Sequence, residues 1–409
     1  MMTMPKEKLS SEDSTFLNIC IDVLNYAESQ DYEGFSKFDA CNSPFVKAIT
    51  FNNKWLRGGS LLFVNKFPFN IRSLLGVQKS KNPKGMALFA QAYFNLYQVT
   101  KNDEFLRKGK WCVDWLIKNP SEGYSGLCWG YNFDWQSRAF FAPKYLPNCV
   151  VTVFVGETLI KAYELSKDET YLKLAQNIAK FLLIDLPIIY EDDETKCVAY
   201  VPSKVSSIVL NINALVGAFL AKLWKYSKIG DYLIQARKLI QFVIDHRTNY
   251  DAWYYTFPPG DSIIRHDNYH TGGILDAILE YMQYTKNYDL ENIHLSGLKY
   301  YRNNLFLENG APKWMNDQVY PFDIHGSAQG IITFCKASKF NPEYGNFASK
   351  IAEWTIKNLY NHNEGYFYYQ QGKFFKHKFT LMRWCNAWMC KALSELLLMR
   401  HEGINSYEN

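Results

Sequence analysis

A helix-pair pattern recurs about every 55 to 65 residues along this chain, and it constrains the fold more than any single motif does. Each copy joins a helix rich in small residues to a second, amphipathic helix through a break of three to five residues. The stretch 148–183, NCVVTVFVGETLIKAYELSKDETYLKLAQNIAKFLL, shows both halves, and further copies begin near Asn82, Ile208, His270 and His325. A hairpin of this kind cannot bury its apolar face alone, so successive copies must stack into one continuous core.

The spacing predicts twelve helices. The first runs from about Asp13 to Glu28. Inner helices start near Pro83, Asn148, Ile208, His270, His325 and Phe379, and outer helices near Asp103, Asp168, Asp231, Leu290 and Asn341. Small residues such as Gly156, Ala214, Gly217, Gly272 and Gly330 let the inner helices approach closely, whereas Leu172, Ala175 and Ile178 form an ordinary amphipathic stripe on an outer one. Five complete hairpins leave one unpaired helix at each end of the chain. Pairing the first with the last closes an all-α (α/α)6 toroid over 13–400, with short tails at 1–12 (disordered) and 401–409.

The connections are unequal. Inner-to-outer breaks are short, but the outer-to-inner links span roughly 29–81, 119–147, 185–207, 248–269, 307–324 and 361–378. All the long links therefore fall on one rim, where the inner helices begin. Long loops on a rigid scaffold are where binding and catalysis concentrate.

Composition narrows the partner. The chain is 48% hydrophobic and 21% charged, with a formal net charge of +5 and no basic run of the kind that binds nucleic acid. The nine cysteines are scattered without a CxxC pair, as expected of reduced, buried thiols in a cytoplasmic protein. No signal-like apolar core precedes the first helix, and no apolar stretch reaches the length of a membrane span. HExxH, GxGxxG and P-loop patterns are missing, so neither a metal nor another cofactor is expected. A zinc-dependent cyclase toroid would need a Cys before His325, where Ile324 stands.

Aromatic residues make up 17% of the chain and crowd the long links together with acids and amides. The densest patch, WGYNFDWQSR, sets Trp129, Tyr131 and Trp135 as stacking walls beside Asp134, Gln136 and Arg138. RHDNYHTGG places Asp267, Asn268 and His270 at the start of an inner helix, and FDIHGSAQG repeats the arrangement with Asp323 and His325. A His next to a carboxylate is suited to general acid–base work, although Asp or Asn at such a position is equally suited to N-capping. Trp253, Tyr255, Tyr366, Tyr368 and Trp384 are further candidate binding residues, and Lys313 and Arg383 can hold an anionic group. Glu157 and Asp276 on inner helices face either the central funnel or a helix–helix seam.

The segments NIRSLLGVQKSKNPKGMALF, GLCWGYNFDWQSR, DNYHTGGILDAI, PFDIHGSAQGI and LMRWCNAWMCKAL resemble six-hairpin glycosidase-like proteins, and among them relatives of the D-glucuronyl C5-epimerase C-terminal domain found in surface-polysaccharide pathways. The resemblance implies a sugar or glycan substrate in the toroid mouth and paired acid–base chemistry. Asp134, Asp267 and Asp323, assisted by His270 and His325, are the expected catalytic groups. Glycoside hydrolysis is the leading expectation. Uronate epimerisation or lysis, and a non-catalytic glycan-binding scaffold, are the alternatives.

Overall fold

A computed structural model describes residues 10–138, 140–204 and 207–407. Among these are fourteen α-helices and only short strands. Six helices form the inner ring: α4 (Pro83–Thr100), α6 (Cys149–Ser166), α8 (Leu210–Ser227), α10 (Asn268–Thr285), α12 (Ile324–Ala337) and α14 (Trp388–Tyr407). Six pack outside them: α1 (Ser11–Ser29), α5 (Asp103–Lys118), α7 (Glu169–Lys180), α9 (Gly230–Asp245), α11 (Glu291–Asn304) and α13 (Pro342–Leu359). The ring closes as the repeat requires. α1 lies on α14, where Arg400 bridges Glu12 at 2.9 Å and the Cys20 thiol meets the Cys390 carbonyl. α14 in turn meets α4 through Asn95, which donates to Ser394 at 3.1 Å. The last helix continues to Tyr407, past the boundary near 400 that the sequence pattern suggests.

The repeat is visible in the backbone chemistry of the breaks. Four inner helices end on a Ser or Thr whose hydroxyl donates one turn back, Thr100, Ser166, Ser227 and Thr285, at 2.7 to 2.8 Å. A lysine follows each in the left-handed conformation: Lys101, Lys167, Lys228 and Lys286, with φ between 56° and 60°. That conformation stops the helix and turns the chain outward. Inner packing is tight enough to require glycine. A Cβ on Gly156 would stand 2.5 Å from the Phe219 ring, and one on Gly330 2.5 Å from Phe306. Every residue of 82–96 on α4 is buried.

The first long link is not the simple loop expected. It contains two further helices, α2 (Pro44–Thr50) and α3 (Lys54–Lys66). Ser43 and Asn53 cap them, accepting from the backbone of Val46 and of Trp55 and Leu56 respectively. Neither helix buries a continuous stripe, so the apolar period that reveals the ring helices is missing here. This arm has its own small core of Cys41, Leu61, Val64 and Ile71. It is pinned by Arg72, fully buried, which donates to Asp39 at 2.7 Å and Asn65 at 2.6 Å.

All nine cysteines are buried and unpaired. No helix is long and apolar enough to cross a membrane among the described residues, and these residues contain no metal-ligand cluster.

Two stability predictions follow from this packing. Removing one member of a buried ion pair strands the other, so Arg72→Ala should cost about 3–5 kcal/mol in denaturant unfolding and expose 44–75 to protease. If the arm stays protease-resistant in that variant, Arg72 is not its anchor. Burial holds His294 on α11 down to about pKa 4. The unfolded chain therefore takes up that proton first as pH falls below about 6.5. Stability should fall by roughly 3 kcal/mol between pH 6.5 and 4 on this account alone. His294→Gln should flatten that acid limb; an unchanged slope would assign it to other groups.

Candidate active site

The long links and the first turns of the inner helices enclose a cavity of about 750 Å³ at one end of the toroid. Lys84 enters from α4, Phe154 from α6, Asn211 from α8, His270 from α10 and His325 from α12, while Arg383 and Trp384 come from the π-helical turn Met382–Ala387 ahead of α14. Every inner helix thus directs its N-terminal end, the positive end of its dipole, toward this space. No carboxylate is among the described lining residues.

Two imidazoles flank one tyrosine. The Tyr269 ring stacks on His325 (centroids 4.5 Å apart, planes 12° apart) and lies 4.4 Å from His270. Tyr255 stacks on the other side of His270 at 4.1 Å. Asp267, buried beneath the cavity floor, sits 2.9–3.0 Å from His270 Nδ1, which fixes the ring and leaves Nε2 as the functional nitrogen. His325 is buried among Tyr269, Trp384 and Trp388, and its Nδ1 finds no hydrogen-bond partner. Burial, then the charges of Lys84, Arg383, Lys37 and His270, push its pKa well down, so it stands as a neutral imidazole.

Positive charge dominates the walls. Lys37 bridges Asp323 at 3.0 Å, with its ammonium 4.0 Å from the Trp384 ring. Lys84 lies over Phe154 and Trp388, and Arg383 over Tyr131 and Trp384. Among the described residues neither Lys84 nor Arg383 has a carboxylate within ion-pair distance, and Arg383 Nε is buried without an acceptor. Burial, then the neighbouring Arg383, lowers the Lys84 pKa well below its ordinary value.

Of the residues singled out from sequence, Tyr131, Trp135, Tyr255, His270, His325, Arg383 and Trp384 line the cavity. The others lie elsewhere, for identifiable reasons. Asp134 ties the second long link to α2, bonding Lys47 at 2.9 Å and, within its own link, the Lys144 N–H at 2.8 Å. Asp323 caps α12 and is saturated by three donors. Asp267 acts on the cavity only through His270. Trp129 and Trp253 are core residues whose indoles donate to Leu116 and Val243, pinning the links that follow α5 and α9. Gln136 bonds within its own hairpin, and Arg138 is exposed. Asn268 is held between the Leu305 carbonyl and the Tyr301 hydroxyl. Lys313 donates to the Asn316 carbonyl, while Tyr366 packs on Tyr26 and Tyr368.

Sequence reasoning passes over Lys37, Lys84 and Tyr200, and reads Tyr269 and Tyr369 only as members of the aromatic-rich links. Only Lys84 left a clear signal, as a lone cation in the otherwise uncharged stretch that opens α4. Glu157 and Asp276 face a second cavity of about 420 Å³ toward the C-terminal ends of the inner helices.

No family model and no curated protein matches the chain. Solved structures do. A glycoside hydrolase family 76 mannosidase from Bacteroides thetaiotaomicron is similar at TM-score 0.64 and 10% identity, covering 94% of this chain and 100% of its own. An unsaturated glucuronyl hydrolase specific for heparin gives 0.62 at 11% identity, over 97% and 98%. The cellobiose 2-epimerase from Bacillus thermoamylovorans gives 0.60 at 13% identity, over 78% and 90%. The architecture is thus the six-hairpin toroid expected from the repeat.

A buried guanidinium without a counter-charge is costly to the free protein. Arg383→Met should raise stability by about 1–3 kcal/mol in denaturant unfolding, while abolishing any thermal stabilisation by anionic sugars. A destabilised variant would mean that Arg383 is paid back by protein contacts rather than held for a ligand.

Proposed function

We propose that this protein is a sugar-processing enzyme that moves a proton at the carbon next to a carboxylate of an acidic sugar or glycan. The observation that carries this reading is the pair of imidazoles flanking Tyr269 in a cavity lined by cations and, among the described residues, by no carboxylate. Hydrolysis by two carboxylates needs both acids at the substrate, 5 to 10 Å apart in round terms. Here Asp134 and Asp323 are committed to structural bonds and Asp267 lies behind His270. Sugar epimerases and glycoside hydrolases both occur among proteins of this architecture, which is consistent with either chemistry.

His325, held neutral, is suited to remove the proton. The electrons left on carbon delocalise into the sugar carboxylate, whose added charge Arg383 and Lys84 are placed to hold. His270 Nε2, backed by Asp267, returns a proton to the opposite face. Net atoms are unchanged and one carbon centre inverts. The same first step followed by departure of a β-oxygen would be a lyase reaction, and the two share every residue named. The aromatic walls, Trp135, Trp314 and Trp384, offer the flat apolar surfaces on which sugar rings stack.

Proton NMR in D2O tests this directly, with uronic acids and uronate-containing oligosaccharides as substrates. Deuterium should replace the proton α to the carboxylate, and His270→Ala and His325→Ala should each slow that exchange by about 10²–10⁴. Cleavage of a glycosidic bond without α-deuteration would replace this reading with hydrolysis.

A further inference from the structure

Beside the cavity, the arm formed by α2 and α3 leaves an unusual surface uncovered. Phe51 is 84% exposed, Trp55 71% and Leu74 81%, and Leu62, Phe63 and Phe69 are each more than half exposed. Folded proteins rarely leave so many large apolar side chains in one segment facing water. Cations are interleaved with them. Lys54 lies over the Trp55 ring and Arg57 over Phe141. From Ala40 to Asn102 the sequence contains no Asp or Glu.

A second, separate segment extends this surface. The hairpin of Gln370–Gln371 and Lys376–His377 carries Phe374 at its tip, 89% exposed, next to Lys373. It adjoins the end of α3, where His377 Nε2 lies 3.4 Å from the Lys66 carbonyl. Its surroundings are also free of acids, from Gly365 to Ser394. Among the described residues Lys54, Arg57, Lys66 and Lys373 form no ion pairs. Leu62 and Lys66 of the arm line the cavity itself, so this surface is part of the mouth.

We propose that the arm and the 370–377 hairpin dock the protein on an anionic lipid bilayer, with the mouth of the cavity turned toward the headgroups. Interfacial binding combines aromatic and leucine side chains that sink to the acyl boundary with Lys and Arg that meet anionic headgroups. Both kinds of side chain are present here, and Lys54, Arg57, Lys66 and Lys373 have no ion-pair partner among the described residues, whereas Lys47 of α2 pairs with Asp134. Charge complementarity selects this occupant over a second copy of the chain, because a two-fold contact would set the same unpaired cations against each other. The inference is independent of the reaction assigned to the cavity, since lipid binding is read without substrate.

Vesicle co-sedimentation of the full chain provides the test. Phosphatidylcholine vesicles containing phosphatidylglycerol should bind it at least tenfold more strongly than phosphatidylcholine alone, and high salt should weaken the binding. The exposed triple variant Phe51→Ser/Trp55→Ser/Phe374→Ser should lose at least tenfold of that binding while keeping wild-type circular dichroism and thermal stability. Orientation can be read separately with an environment-sensitive dye. A label on Phe374→Cys should shift to the blue on vesicles, and one on Ile234→Cys, exposed on outer helix α9, should not. Equal binding of neutral and anionic vesicles, no binding to either, or full binding by the triple variant would overturn the proposal. Concentration-dependent dimerisation lost in the triple variant, without vesicle binding, would reassign the surface to self-association.

Discussion

One buried carboxylate, Asp323, holds the mouth of the toroid together. It accepts from the Lys37 ammonium at 3.0 Å, the Trp384 indole at 2.8 Å and the His325 backbone at 2.9 Å. These donors come from the first long link, the closing turn and α12, and Lys37 stands 286 residues from Asp323 in sequence. A carboxylate with one buried partner would suffer desolvation that a single ion pair offsets poorly. Three donors, with Lys37 also resting on the Trp384 ring, meet that cost and set the positions of three lining residues at once. The site is therefore built by ring closure, since its hub and its donors meet only when the last helix returns to the first.

Much of the architecture was legible because stacking repeats must advertise themselves. A hairpin that buries one face against its neighbours needs small residues inside, an amphipathic stripe outside and a sharp break between, and each leaves a mark at fixed spacing. The Ser/Thr–Lys breaks are such marks, and so are Gly156 and Gly330. The arm was illegible for the converse reason. α2 and α3 bury little, so they carry caps but no period. At the site, His270, His325 and Arg383 could be picked out because chemistry-bearing residues cluster at the starts of inner helices. The carboxylates near those histidines, expected as reactive groups, are instead engaged in bonds that hold the mouth. Sequence shows that Asp323 precedes His325 by two residues. It does not show that Lys37 and Trp384 arrive from opposite ends of the chain to saturate it. Trp129 and Trp253 misled in the same way, since an aromatic in a long link serves equally to pin that link to the preceding outer helix.

The two ends of the ring differ electrostatically in a manner its geometry explains. Parallel inner helices direct six N-termini to the mouth and six C-termini to the other end. At the C-terminal end, lysines and acids pair across helices, Lys336 with Asp276 and Glu280 and Lys222 with Glu164, and along α14, Lys391 with Glu395. That end is a closed charge lattice, and within it burial and Glu280 push Glu157 up to about 7. At the mouth the dipoles and the cations act in the same sense, and no acid lines the wall to oppose them. Phe154, Leu215, Gly273, Gln329 and Trp388 border both cavities and separate the two regimes.

That field bears on why imidazoles rather than carboxylates suit this cavity. A carboxyl group set among Lys37, Lys84 and Arg383 would be held ionised and would make a poor proton donor. Burial first, and then the same cations, hold the His325 imidazole neutral, the form the proposed reaction needs in a base. In the proposed reaction an anionic sugar would bring charge that offsets these cations beside His325. Asp267 instead holds the Nδ1 side of the His270 ring at 2.9 Å. In the proposed reaction the two rings, similar in sequence setting, take opposite roles, and separation of roles between two titratable groups is the condition for moving a proton from one face of a carbon to the other.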